Sequence, residues 1–512
     1  MPEIFIYIIN VIKRRLQMRY IPLFLAVTLF AQDTDNPHAP EKPGTTGSIG
    51  TVTINGKVYN QLSLRPEIPI GKLGIGLDVY LYFNDEGMYW ESWDFSTGEA
   101  AYRSIIDKIY YLRWGQPGDD LYFMAGALPS ATLGQGILVN NYSNIMEYPQ
   151  VRQIGLKLQA KVAGVGMEIL HSNFKTATPG VMGARVSYSV LPKLTVGASY
   201  VTDLNQFAGL PDADGDGYPD YYDFYPDDSL QHDGLAYAED DWAVLQPYLK
   251  DDADFNEWFG ESKYYNEYNP AEAEKDNIYG MAFDVTYALN KKVTLYSQAG
   301  LLMGEIVNDS YSGLDKQLGW GLVPLGVRTK LGPVDMLAEY RMSWPRFIFN
   351  YWDRAYDVNR VSVNTFGVVT RESQLYKYGK LNGFYTHANM NVMNLLNMGI
   401  GYQNMGGEIW DADTDDYKVG ESNQTFIATV GINPALIPKV GKAEAFYQQS
   451  NVPDPFEFEP NVSTIWGYNV GVEVSSGVML VYQARTTYIS DLDNPGDFKP
   501  VESIQIETQF IF

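Results

Sequence analysis

Ile504-Gln505-Ile506-Glu507-Thr508-Gln509-Phe510-Ile511-Phe512 is the stretch whose reading decides the fold. Its apolar side chains alternate with Gln505, Glu507 and Gln509, the period-two signature of an extended strand with one greasy face and one wet face. The same alternation recurs upstream. Ile154, Leu156, Leu158, Ala160 and Val162 oppose Gly155, Lys157, Gln159 and Lys161. Met182, Ala184, Val186, Tyr188 and Val190 oppose Gly183, Arg185, Ser187 and Ser189. Tyr279, Met281, Phe283, Val285, Tyr287 and Leu289 oppose Gly280, Asp284 and Thr286, and Val334, Met336, Ala338, Tyr340, Met342 and Trp344 oppose Asp335, Glu339 and Arg341. Each run has about ten residues, the length a tilted strand needs to cross a hydrocarbon layer.

A water-soluble sandwich also alternates, but three features count against it. Tyr188, Tyr200, Tyr279, Tyr340, Trp344, Tyr482 and Tyr488 stand at strand ends, where amphipathic rings favour a membrane interface. Tight turns near Gly164, Pro192, Asn290, Gly332, Asn394, Pro434 and Gly477 are interleaved with much longer links, the short-turn, long-loop asymmetry of a membrane barrel. An edge strand with the apolar row of 504–512 would also invite aggregation in water.

Composition agrees. The 512 residues include 39 Tyr and 10 Trp, yet apolar content is only 45%, too polar for a helical membrane protein and suited to strands that are half lipid-facing. There is no cysteine, which removes disulfides, thiolate nucleophiles and thiolate metal sites. Lys13, Arg14, Arg15 and Arg19 precede the apolar run Tyr20–Phe30, with the small Ala31 before Gln32, so 1–31 reads as a secretory signal peptide. Residues 32–48, rich in proline and glycine, read as a flexible mature N-terminus. The net charge of -25 is concentrated between Asp203 and Asp276, where 21 acids face three bases. No basic stripe exists to neutralise phosphates, so nucleic acid is excluded as a partner.

Nineteen candidate strands begin between Val52 and Ile504, and a further one near Ser48, turning at Asn55-Gly56, would restore even parity. The expectation is an all-β fold, a transmembrane antiparallel β-barrel of about 18 strands with 16 to 20 open, over 49–512, carrying an acidic external loop over 204–277. The closing run 504–512 resembles the last strand that the outer-membrane assembly machinery recognises in the bacterial outer-membrane protein class. That resemblance covers only these residues. With the leader, it implies export to the outer membrane of a Gram-negative bacterium, with the assembly machinery and outer-membrane lipid as partners.

Within the acidic loop, Asp212, Asp214, Asp216, Gly217, Asp220, Asp223 and Asp227 place carboxylates two apart around a tight turn, the arrangement a hard, oxygen-loving cation requires. The spacing resembles one thrombospondin type 3 calcium repeat. The resemblance implies calcium as a structural cofactor, with Asp212, Asp214, Asp216 and Asp223 as side-chain ligands and Asp220 and Asp227 beside them. The aromatic residues that follow, among them Trp242, Phe255, Trp258 and Phe259, read as the loop's own small core.

Alternation places Lys157, Lys161, Arg185, Asp284, Asp335, Glu339, Arg341, Glu473, Arg485 and Glu507 toward the lumen. Their mixed signs suit a porin-like channel for passive diffusion of small polar solutes. Two other readings stand beside it: a non-conducting surface scaffold whose lumen is filled by salt bridges, and a substrate-specific transporter, hydrophobic solutes included. No nucleophile, base and orienting group fall into a catalytic motif, so no enzyme activity is expected. The stretch Gly126–Tyr142, rich in glycine and ending in Asn140, Asn141 and Tyr142, reads as turn chemistry, with an inward-folded constriction as the alternative. Homo-oligomerisation is a possibility that one chain does not decide.

Overall fold

The computed structural model describes residues 45–511, less 55–56, 86, 147, 149–150, 177, 213–216, 227, 229, 246–253, 261, 263–267, 271–272, 274, 309–310, 365–366, 394, 434–436, 438, 492–493 and 495. The leader, most of the 32–48 tail and Phe512 lie outside them.

Twenty strands form one closed antiparallel ring, against the expected eighteen or so. In chain order they are β1 Thr45–Ile54, β2 Lys57–Ile70, β3 Leu73–Leu77 continued by Val79–Asn84, β4 Ile109–Trp114 and β5 Leu121–Gly126. β6 Gly155–Val162, β7 Val165–His171, β8 Met182–Leu191, β9 Leu194–Asp203 and β10 Ile278–Ala288 follow. Next come β11 Val293–Met303, β12 Trp320–Leu331, β13 Val334–Ser343, β14 Tyr378–Val392 and β15 Leu396–Asp411. The ring ends with β16 Asn423–Ile432, β17 Val440–Val452, β18 Ile465–Ser475, β19 Val478–Ser490 and β20 Phe498–Ile511.

The count rises because β1 and β2 are two strands, paired from Thr45↔Pro66 to Ile54↔Lys57. β2 carries Arg65, Pro66, Glu67 and Pro69, which blur its alternation, and a proline also removes a ladder donor. The strand expected to begin near Ile105 begins at Ile109, because the chain first forms the helix Gly98–Ile106, started by the Thr97 hydroxyl accepting from the Ala100 amide at 3.0 Å. β20 closes the ring against β1, with Gln505↔Val52, Glu507↔Gly50 and Gln509↔Ser48 in register. No ring strand is left with an open edge, which is what a sheet in hydrocarbon requires.

Burial is inverted relative to a water-soluble fold. On β8, Val186 and Tyr188 are 54% and 52% exposed while Arg185, next to Val186, is 8% exposed; on β10, Phe283 is 62% exposed and Asp284 only 6%. The apolar set therefore covers the outside and the polar set lines the lumen, the surface of a barrel that sits in a bilayer. Aromatic pairs mark the strand ends, Trp320 stacking on Trp344 at 3.6 Å and Tyr200 lying 6.3 Å from Tyr279. Apart from the tight link between Ile54 and Lys57, the short turns fall at one end of the barrel and the long links at the other.

A ring this wide cannot be filled by wall side chains. In its loop-side half the filling comes from two links, 127–154 and 344–377, which fold inward. Leu128, Leu133, Ile137, Leu138 and Tyr142 from the first pack with Phe347, Phe349, Tyr351, Trp352 and Tyr356 from the second in one buried cluster. Burying side chains of this size contributes roughly 1.5–3 kcal/mol each, which offsets the ordering of long loops. The wall makes room by leaving out side chains. A Cβ on Gly280 would stand 2.9 Å from Leu138 and Trp352, and one on Gly300 would stand 3.2 Å from Leu138 and 3.3 Å from Ile137.

Gly280→Leu is therefore expected to overpack this contact and destabilise the loop pair by about 1–3 kcal/mol while leaving the ring closed. Chemical unfolding should show the loss; an unchanged midpoint would mean that the loops do not bear on this wall.

Candidate functional site

The two inward links meet in a short parallel bridge between Val139 and Trp352. The Asn350 amide donates to the Ile137 carbonyl at 2.9 Å, the Trp352 amide to Leu138 at 3.0 Å, and the Asn140 amide to the Trp352 carbonyl at 3.1 Å. Asn141 and Asn350 each take a left-handed φ of 56°, a conformation asparagine tolerates better than most residues, and this lets both chains turn tightly at the contact. Tyr142 donates to Asp357 Oδ2 at 2.7 Å, wholly buried. The stretch Gly126–Tyr142 is thus an inward constriction, and turn chemistry serves that end.

Below this plug the lumen is polar and open to solvent. Ser187, Thr195, Thr286, His387 and Asn389 are half-buried on the inner wall, and Arg328 is exposed. Between the two zones runs a layer of ion pairs. Arg185 binds Asp284 at 2.8 Å and Glu168 at 2.7 Å. Arg341 binds Glu339 at 2.6 Å, and Glu339 also accepts from the Tyr296 hydroxyl at 2.7 Å and the Gln298 amide at 3.0 Å. Glu507 accepts from Arg65 and Ser48, both at 2.9 Å, across the closing seam. Arg65 and Arg152 share Asp78 at 3.1 and 2.9 Å. Taking one partner from such a buried pair typically costs about 3–5 kcal/mol, so the layer holds the wall as well as charging it.

Of the ten residues expected in the lumen, Arg185, Asp284, Glu339, Arg341 and Glu507 lie in this layer. Lys157 reaches the constriction itself, donating to the Ser130 carbonyl at 3.2 Å. Arg485 is half-buried on the inner face of β19. Lys161, Asp335 and Glu473 stand near the short turns, Lys161 and Glu473 exposed and Asp335 3.7 Å from Lys330. Reading by alternation missed Arg65, Asp78, Arg152 and the whole link 344–377. The available signal was Phe347-Ile348-Phe349-Asn350-Tyr351-Trp352, too apolar for a loop exposed to water.

Of the six aspartates of the calcium reading, the structure describes Asp212, Asp220 and Asp223. Asp214, Asp216 and Asp227 lie outside the described residues. Asp212 accepts from the Gly217 amide at 3.1 Å and Asp223 from the Tyr225 amide at 2.8 Å, so both oxygens cap turns of their own loop. Among the described residues no three acids or histidines are grouped to hold a metal ion. Further along, Trp242 lies 5.3 Å from Trp258 and 5.5 Å from Phe255, a small core between the helices Leu235–Leu245 and Phe255–Gly260.

The acidic loop is tied to the plug at its root. Gln206 accepts from the Tyr351 hydroxyl at 2.7 Å, and its amide nitrogen reaches Asp276 at 3.1 Å and Glu372 at 3.4 Å. Burial, with Asp276 beside it, pushes the Glu372 carboxyl up to about 10, and burial raises Asp276 as well. Nearby, Arg360 binds Asp203 at 3.1 Å, and the Tyr356 hydroxyl reaches the same oxygen at 3.0 Å.

Fold and site together define a closed, loop-constricted β-barrel. No family model matches the chain, and no curated protein matches it either. Among solved structures it is similar to Pseudomonas aeruginosa OccK11 (OpdR), at 11% identity over 92% of this chain and 95% of that one, with a TM-score of 0.30. The ferric-catecholate import receptor Fiu from E. coli K12 matches at 9% identity, covering 92% and 82%, TM-score 0.36. A mutant Rh. blastica porin matches at 9% identity, covering 92% and 99%, TM-score 0.26. At these scores the likenesses carry nothing about function.

Because Glu372 keeps its proton when docked and would release it near pH 4.5 when free, its contribution is full below about pH 4.5 and is lost as the pH rises toward about 10. The unfolding midpoint should fall over this range, and Glu372→Gln should flatten the slope. An infrared carboxylic-acid band persisting above pH 7 in the wild type and absent in the variant checks the assignment; a band unchanged by the substitution contradicts it.

Proposed function

We propose that the protein is a solute channel of a Gram-negative outer membrane, exported by its leader, in which small polar solutes diffuse through a bore set by the inward links 127–154 and 344–377. The observation that carries this reading is the division of the lumen into a polar, solvated half at the short-turn end and a half narrowed by a paired, apolar-cored loop plug. A general porin needs only a wide wet lumen; the loop pair favours restricted passage of small solutes.

The mutual pairing of the lumen charges favours the second reading, a closed scaffold at the cell surface. Calcium held by the Asp212–Asp227 stretch would stiffen the external loop, a proposal that rests on aspartate spacing alone. Nothing in this reading calls for a catalytic step, and oligomerisation is not needed for passage.

Single-channel recording in planar bilayers tests it. The wild type is expected to give small, discrete steps, and replacing residues 132–141 by a short Gly-Ser bridge should raise the conductance several-fold. Silence of the folded wild type, with conduction appearing only after the replacement, would make the barrel a closed scaffold.

A further inference from the structure

Six of the described arginines around the lumen are held by carboxylates. Arg65, Arg152, Arg185, Arg341, Arg360 and Arg371 each have a guanidinium nitrogen between 2.6 and 3.2 Å from an acidic oxygen. Arg354, on the second inward link, departs from this pattern. It is half-buried, its guanidinium carbon lies 4.6 Å from the centre of the Phe446 ring, and its buried Nε makes no hydrogen bond. Glu444, the carboxylate in its field, is engaged elsewhere, by the Lys442 ammonium at 3.2 Å and the Asn469 amide at 3.4 Å.

Phe446 faces the lumen from β17 and rests against the bare face of Gly467, where a Cβ would stand 3.0 Å from the ring. Arg485 pairs with Gly467 in register from the next strand and faces the same way. Arg354 thus sits on the ring, with Lys442 and Glu444 further along β17 and Arg485 two strands away on the same inner face. The neighbouring Asp353 is already taken, by Arg371 at 3.2 Å and by the Gln448 amide at 3.2 Å.

A partly desolvated guanidinium without an anion is costly to keep, and the ring face compensates only in part. Its N–H donors form a rigid fork that matches two oxygens of one carboxylate or phosphate. We propose that Arg354, seated on Phe446, is the recognition residue of an oxyanion subsite in the lumen, so that the solutes taken up are small anions. This rests on the channel reading for its role in passage, while binding itself stands apart from conduction.

Titration calorimetry of the full-length folded barrel in detergent separates the two. Succinate and inorganic phosphate serve as probes, and glycerol as the uncharged control. Saturable binding of one or both anions, and none of glycerol, is expected; preference for succinate assigns carboxylates and preference for phosphate assigns phosphoryl groups. Arg354→Met should weaken binding at least tenfold. Glu444→Gln should tighten it several-fold by removing the competing carboxylate, and opposite effects from two neighbouring substitutions exclude a general loss of folding. Binding unchanged by Arg354→Met, or no anion bound by the wild type, overturns the subsite. Anion binding by a barrel that passes no current keeps the subsite and removes the channel.

Discussion

Everything in this structure depends on closing the backbone hydrogen bonds of a sheet that has no water to turn to. In hydrocarbon an unpaired strand edge costs several kcal/mol for each exposed group, so the chain must bring β20 back to β1. The seam is formed by residues more than four hundred positions apart, Ser48 with Glu507 among them, and its inner face is held by Arg65. Once the ring is closed at twenty strands, its width becomes the next problem.

Width is handled differently at the two ends. Toward the short turns, serine, threonine, asparagine and histidine side chains leave the lumen to water. Toward the long links the inner wall itself turns apolar at Val201, Leu302, Val323, Leu381 and Met405, all buried, and receives the two folded-in links. The change of inner-face chemistry along single strands gives the barrel a plugged end and a wet end. The ion pairs sit at the boundary between them, where a charge can be solvated on one side and hydrogen-bonded on the other.

That placement explains how far alternation could be read. Arg185, Asp284, Glu339 and Arg341 were legible as inward because their neighbours Val186, Phe283, Ala338 and Tyr340 are lipid-facing, and period-two geometry leaves no other side. β2 was obscured by its prolines and charges, and the segment near Ile105 carried helix chemistry from the Thr97 cap onward. Gly280 and Gly300 looked like ordinary members of a polar face. Their purpose, room for Leu138 and Trp352, appears only when the loop side chains are in place.

The sequence by itself determined the all-β barrel class, the lipid and lumen faces of the strands with clean alternation, and the alternation of turns with long links. These follow from local geometry, since a side chain's face is set by its parity along a strand. Only the tertiary structure decided that the lumen is constricted, which two links do it, and that Arg354 sits on an aromatic ring. Tyr142 and Asp357, 215 positions apart, share a buried hydrogen bond that has no local signature in either segment. Such pairings depend on the ring first closing around them, because the space they fill does not exist until it does.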